Sequence, residues 1–282
     1  MNKQLNIGKV IIAGAGPGDP ELITMKTVRH LRKADVILVD RLVSKEILKQ
    51  YANRYAEIIP VGKQCRRGVS TSQETINHLI VHYALEGKLV VRLKGGDVSV
   101  FSNILDELEA LTANDIPYEI IPGVTAALGA AAFAGIPLTA RGYATSVRFL
   151  TYYKSTVISD AFWKELANTD DTLVFYMSSE TLPKLVEKLT ANNIDENKLL
   201  AIIEQATTPL QSVHISSLYE YETNFNKRTF ISPSLIIIGK VVSLHAKFQW
   251  IENSNTEEFY FKPVDARRIT LNQPEKIYEN VS

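Results

Sequence analysis

The sequence predicts an α/β protein with mainly parallel sheets. Three observations predict it. Short apolar runs of β type, such as Val10–Ala13, Val36–Val39 and Leu89–Leu93, alternate with stretches of helical period. The connections between them are short. Two strand ends run into glycine-rich turns that lead to a helix, at Gly14–Pro20 and at Gly95–Asp97. The length of 282 residues suits one large domain or two of moderate size, and 45% hydrophobic with 22% charged residues is ordinary for a soluble globular chain.

Charge and cysteine usage exclude several classes. Lysine plus arginine equals aspartate plus glutamate, so the net charge is zero and no broad basic face for nucleic acid is expected. Cys65 is the single cysteine, which rules out an intrachain disulfide and suggests a cytoplasmic setting. No signal-peptide pattern and no apolar run near the roughly 20 residues of a membrane span is present, so no membrane partner is expected. No metal site is expected either.

Taken in order, Val10–Ala13 is a strand and Leu22–Lys33 an amphipathic helix. The loop between them superficially matches a dinucleotide fingerprint. It fails chemically, because Asp19 would repel a phosphate and Pro17 and Pro20 lack N–H donors. An uncharged or cationic ligand fits this loop better. Val36–Val39 is a strand ending in Asp40, which is either an acid/base candidate or one half of a surface pair with Arg41. Ile58–Val61 is the next strand. The loop after it holds Lys63, Arg66 and Arg67 around Cys65; these are solvated charges or contacts for an anionic substrate, and Cys65 is incidental.

Ser72 caps a helix running to about Leu85, with Gly87 as its C′ residue. Leu89–Leu93 is a strand, and Phe101–Leu111 has helical spacing. Between them Gly95 and Gly96 remove Cβ atoms, and Asp97 adds an acceptor for hydroxyl or ammonium donors. A tight turn without a ligand would look the same. Tyr118–Ile121 is the last strand of a first half ordered β-α-β-β-α-β-α-β. Ala126–Ala134 is a helix of small residues capped by Thr125, whose hydroxyl is also free to serve a ligand. The second half has strands at Val147–Thr151, Thr172–Met177, Leu199–Glu204, Val213–Ile215, Leu235–Gly239 and Phe248–Ile251. Its helices lie around Phe162–Leu166 and at Leu182–Leu189. The expected division is residues 1–122, residues 123–255, and a polar tail of 256–282.

Several motifs then occur together and in order: Val10–Pro20, Ala34–Val43, Val61–Lys63, Arg92–Asp97, Pro122–Ala126, Ala134–Thr139 and Tyr176–Met177. On these the chain resembles the tetrapyrrole methylase family, from about residue 9 to about residue 245. The resemblance implies two α/β domains, each with a parallel or mixed sheet and flanking helices, and a ligand cleft between them. It implies a homodimer. It also implies S-adenosylmethionine as cofactor, with S-adenosylhomocysteine as product. Carried over by motif, the cofactor contacts are Pro17, Gly95, Gly96, Asp97, Val100, Thr125, Ala126, Met177 and Ala206. The proton acceptor and donor fall on Asp40 and Lys63. Arg41, Arg66, Arg67, Asn103, Arg141 and Tyr176 are candidates to bind a tetrapyrrole carrying eight carboxylates.

The implied activity is C-methylation of uroporphyrinogen III, twice, to precorrin-2. The chain departs from the family pattern at Val98, Ser102, Asn103, Asp106, Ala140, Ser178 and Ala206, which stand for proline, glycine, arginine, glutamate, histidine, glycine and glycine. The cofactor side is kept better than the substrate side. Methylation of a different tetrapyrrole, and a binder without catalysis, therefore stay open as alternatives.

Overall fold

The computed structural model describes residues 7–62, 71–153, 158–226 and 228–262. The chain divides into two compact units, the first ending at Val124 and the second running from Thr125 to Tyr260; Phe261 and Lys262 group with the first.

The first unit is a five-stranded sheet of β1 (Lys9–Gly14), β2 (Val36–Val39), β3 (Glu57–Pro60), β4 (Leu89–Lys94) and β5 (Tyr118–Ile121), in the order β3-β2-β4-β1-β5 and parallel throughout. Parallel neighbours need crossovers. They are α1 (Met25–Leu31), α2 (Lys45–Tyr51), α3 (Gln73–Leu85) and α4 (Ile104–Ala113). Val28 and Leu31 of α1 and Ile47 and Leu48 of α2 pack with Ile11, Ile37, Val91 and Leu93. Ile76 and Ile80 of α3 and Leu111 of α4 pack with Val10, Ile12, Val36 and Val90 on the opposite face. Both faces are covered, which is why the strands read as continuous apolar runs.

Three boundaries differ from the sequence pattern. Helix α2, capped by Ser44 Oγ accepting from Glu46 N at 3.2 Å, lies where the pattern joined two strands directly. Helix α1 begins at Met25 because Thr24 caps it, after a separate 3₁₀ turn at Pro20–Leu22. Helix α4 begins at Ile104 because Phe101 and Asn103 have φ of +52° and +50° and cannot continue a helix.

The second unit has α5 (Ala126–Phe133), α6 (Asp160–Asn168), α7 (Leu182–Ala191), α8 (Tyr221–Phe225) and α9 (His245–Phe248) around a mixed sheet. Its strands are β6 (Val147–Thr151), β7 (Thr172–Tyr176), β8 (Leu199–Glu204), β9 (Ser212–Ser217) and β10 (Ser234–Gly239), in the order β6-β7-β10-β8-β9. β6 and β7 are parallel, and β10 is antiparallel to both β7 and β8. Strands β6, β7 and β8 therefore end on the same edge. Trp163, Leu166, Leu185 and Leu189 pack on Leu173, Phe175, Ile202 and Ile236. The apolar run at 248–251 is not a strand: it ends α9, and Trp250 Nε1 donates to Ala132 O at 2.9 Å. Helix α8, buried through Tyr221 and Phe225, is too short for a period to reveal. No described helix is long and apolar enough to cross a membrane.

In the first unit the strands all run parallel, but the winding order reverses at β4. Helices α1 and α2 leave β1 and β2 on one face, and α4 leaves β4 on the other. The crevice beyond the carboxyl ends of strands at such a reversal is where ligands bind in open α/β sheets. Three glycines let the loops meet there. A Cβ on Gly123 would lie 2.3 Å from Gly96 O and 2.9 Å from Gly14 Cα. A Cβ on Gly14 would lie 2.6 Å from both Gly123 N and Gly96 O. All of these neighbours are backbone and cannot rotate away. Gly123→Ala is expected to lower stability by about 1–3 kcal/mol, the usual cost of overpacking, with a matching drop in the urea midpoint.

Candidate functional site

In the first unit, the ends of β1, β2 and β4 meet at this reversal. Gly16 and Gly96 exchange backbone hydrogen bonds of 3.1 and 2.8 Å, and Ala15 N donates to Lys94 O at 2.8 Å. The β1 loop is no phosphate cradle, since Asp19 caps the 3₁₀ turn by accepting from Glu21 N at 2.9 Å. Gly95 does not leave open space for a ligand: a Cβ there would meet Leu42 Cβ and Leu42 O at 2.9 Å. Gly95 serves instead to seat the β2 loop, which carries Asp40 and Arg41, against β4.

Asp97 is mostly buried and has local partners on both oxygens. Oδ1 accepts from Ser99 N at 2.8 Å and Oδ2 from Gly123 N at 2.9 Å. Burial alone would raise its pKa; hydrogen bonds from Ser99 and Gly123 outweigh burial and hold it below the ordinary aspartate value. Asp97 thus ties the β4 loop to the β5 loop, with Ser99 Oγ as a further donor to Oδ1. Val100 and Pro17 are half-buried in the same set of loops.

Asp40, half-buried, receives Arg92 Nη2 at 2.6 Å. Arg92 Nε and Lys94 Nζ both donate to Glu107 Oε1 at 2.9 Å. Arg92, Lys94 and Glu107 are all buried, and desolvation together with the Arg92 charge pulls the Lys94 pKa down. The sequence pattern alone does not reveal Glu107 or the ionic role of Arg92 and Lys94. A signal existed: two cations alternate within an otherwise apolar strand, on the side of Val90, which is fully buried. Arg41 is half-buried, while Asn103 and Asp106 are exposed at the start of α4. Lys63, Arg66, Arg67 and Cys65 lie outside the described residues.

In the second unit, Thr125 caps α5 without using its side chain. The hydroxyl pairs with Tyr176 Oη at 2.7 Å, and Tyr176 Oη also accepts from Ala127 N at 3.0 Å. This joins the end of β7 to the start of α5, beside the half-buried Ala126. Ser178 stitches the ends of β6 and β7 together, its Oγ donating to Tyr176 O at 2.8 Å and accepting from Tyr152 N at 2.9 Å. Met177 is half exposed with φ of +53°. Ala206 lies between Gln205 and Thr207, whose φ values are +48° and +65°. Arg141 is exposed in a turn closed by Ala140 and Ala144.

Backbone strain is concentrated at these strand ends. Among the described residues, the other non-glycine residues with positive φ, Asp115 and Asn193, follow helices α4 and α7 and act as ordinary C′ residues. Phe101, Asn103, Met177, Gln205 and Thr207 instead follow strands β4, β7 and β8. A β-branched residue such as Thr207 in this region is a real outlier, and such strain collects where ligands are held.

The family model for tetrapyrrole (corrin/porphyrin) methylases matches residues 9–222. The chain belongs to that family. It is 46% identical to uroporphyrinogen-III C-methyltransferase of Bacillus subtilis (strain 168) over 248 residues, covering 88% of this chain and 96% of that protein. It is 42% identical to sirohaem synthase of Pseudomonas fluorescens (strain SBW25) over 250 residues, which is 89% of this chain and 53% of that protein, about half its length. Among solved structures, uroporphyrin-III C-methyltransferase from Thermus thermophilus aligns with a TM-score of 0.71 and 33% identity, covering 87% of this chain and 98% of that one. The same enzyme complexed with S-adenosyl homocysteine aligns at 0.68 and 32%, over 83% of this chain and 93% of that one.

Two outcomes follow from this geometry. Tyr176→Phe leaves Ala127 N–H and the Thr125 hydroxyl without their partner, at an expected cost of about 1–3 kcal/mol in chemical denaturation. The depressed Asp97 pKa means that its ionised form stabilises the native state fully above an unfolded value of about 4 and progressively less as the pH falls through the lower native value. The stability gap between the wild type and Asp97→Asn is therefore expected to close on acidification below about pH 4.

Proposed function

We propose that this protein transfers methyl groups from S-adenosylmethionine to ring carbons of uroporphyrinogen III, giving precorrin-2 after two transfers. The observation that carries the reading is the near-full-length likeness to the Bacillus subtilis enzyme. The chemistry of the loops supports it. Bare backbone, a carboxylate at Asp97 and prolines in place of N–H donors suit a cationic sulfonium with an ammonium group, and are unfit for a pyrophosphate.

When bound, the donor supplies an electrophilic methyl group and departs as S-adenosylhomocysteine. We assign Pro17, Gly96, Asp97, Val100, Thr125, Ala126, Met177 and Ala206 to holding it, with Gly95 contributing main-chain atoms only. Most of their work is orientation, which contributes about 7–11 kcal/mol when a near-attack geometry is held. Asp40 is the proton acceptor in this reading: as the carbon–methyl bond forms and the sulfur–methyl bond breaks, Asp40 takes the proton lost from the macrocycle. Lys63 is the donor. General-base help of this kind is worth about 10²–10⁴-fold. Arg41, Arg66, Arg67 and Arg141 pair with substrate carboxylates. Asn103 is a further substrate contact, and Tyr176 acts by placing Thr125. The reading includes a homodimer working in the cytoplasm.

A second reading, methylation of a later tetrapyrrole, is favoured by Asn103, an uncharged exposed residue where the family pattern has arginine. Incubation with uroporphyrinogen III and methyl-labelled donor separates the two. Label in a species with the precorrin-2 spectrum is the expected result. Label transferred only to a later precorrin favours the second reading, and donor binding without turnover on any tetrapyrrole overturns both.

A further inference from the structure

The charged cluster under the β2 loop is built asymmetrically. Arg92 is 2% exposed, in a strand where Val90, Val91 and Leu93 are fully buried. Its planar guanidinium has two working edges. Nη2 reaches Asp40 Oδ1 at 2.6 Å, and Nε reaches Glu107 Oε1 at 2.9 Å. The Asp40 side chain keeps 28% of its exposure, whereas Glu107 has none. Asp40 Oδ2 has no hydrogen-bond partner among the described residues, and Glu107 Oε2 is buried without one. Lys94 Nζ balances the charge from beneath, at 2.9 Å from Glu107 Oε1.

A buried ionic network is weak support for stability, because apolar residues of similar volume often serve as well. If Asp40 only needed a surface partner, the adjacent Arg41 would be the simpler choice. The network does something that an apolar core cannot do. It grips one oxygen of a part-exposed carboxylate and leaves the other without a partner among the described residues.

We propose that Arg92 is a positioning residue for Asp40, anchored by Glu107 so that its fork presents a fixed edge to the carboxylate. This rests on the reading of Asp40 as proton acceptor. The grip works because the guanidinium is rigid and two-edged. A lysine at the same place keeps the charge but cannot bridge Asp40 and Glu107 in one plane. Glu107 holds the second edge, so its loss lets the fork rotate even with Arg92 present.

The test uses the full chain, uroporphyrinogen III and methyl-labelled donor. Arg92→Lys is expected to lower kcat by ~10²-fold, the cost typical of a misplacement of about 1 Å, with KM for both substrates and affinity for S-adenosylhomocysteine changed by less than about threefold. Glu107→Gln, which leaves both Asp40 and Arg92 in place, should show the same split in weaker form. It keeps the test open if Arg92→Lys does not fold, as judged by thermal melting and S-adenosylhomocysteine binding. Asp40→Asn should itself be slow, and adding either variant to it should cost less than about threefold more, since coupled residues do not add. Effects that multiply in the double variants, or a loss of S-adenosylhomocysteine binding in parallel with kcat, overturn the positioning role alone. Wild-type kcat in Asp40→Asn overturns the proton-acceptor reading, and the positioning role with it.

Discussion

The first unit depends on one steric constraint: three loops leaving parallel strands must pass through space too small for any side chain. Gly14, Gly96 and Gly123 meet backbone to backbone, with Gly96 O at the centre. Once there, the loops are locked by hydrogen bonds between Gly16 and Gly96 and by Asp97 reaching Gly123 N. Gly16 and Gly96 are needed for a different reason, since they sit at φ of +80° and +68°. The result is a surface of main chain at the point where the winding order reverses. Placement of Asp40 follows from it, because Leu42 of the same loop fills the space that Gly95 vacates.

The second unit fixes its loops by different means. Its strand-end loops carry full side chains in strained backbone and hold them with polar contacts. Tyr176 spans to α5, Ser178 joins two strand ends, and Gln211 accepts from Thr207 N at 2.8 Å while donating to Phe133 O at 3.3 Å. Serine at position 178, where the family pattern has glycine, makes two hydrogen bonds that glycine cannot. The two units illustrate two ways of fixing a loop: deleting the side chain, or bonding it on more than one side.

Much of this was legible in the sequence. Strands β1, β2, β4, β8 and β10 are apolar runs bounded by turn residues, and α3 announced both ends through Ser72 and Gly87. What was hidden follows a physical pattern. Helix α2 has only seven residues, too few for a period to stand out beside two strands. The strand expected at 248–251 failed because Phe248 and Trp250 face different neighbours, Lys247 and Phe133, rather than a sheet. At the site, the sequence marked Asp40, Asp97 and the glycines, since their types and spacing carry information. It could not show that Glu107, fifteen positions after Arg92, lies under the same carboxylate. Nor could it show that Gly95 serves a neighbouring loop, because contacts between crossover-linked strands leave no local period.

Gln205 has a consequence of a different kind. Its side chain accepts from Tyr260 N at 2.7 Å and donates to Glu258 O at 2.9 Å, so the bend after β8 is buckled to main chain more than fifty positions away. Gln205 itself engages only main-chain atoms at 258 and 260. Cutting the chain just before that segment would therefore unfasten the bend without altering a single atom of it.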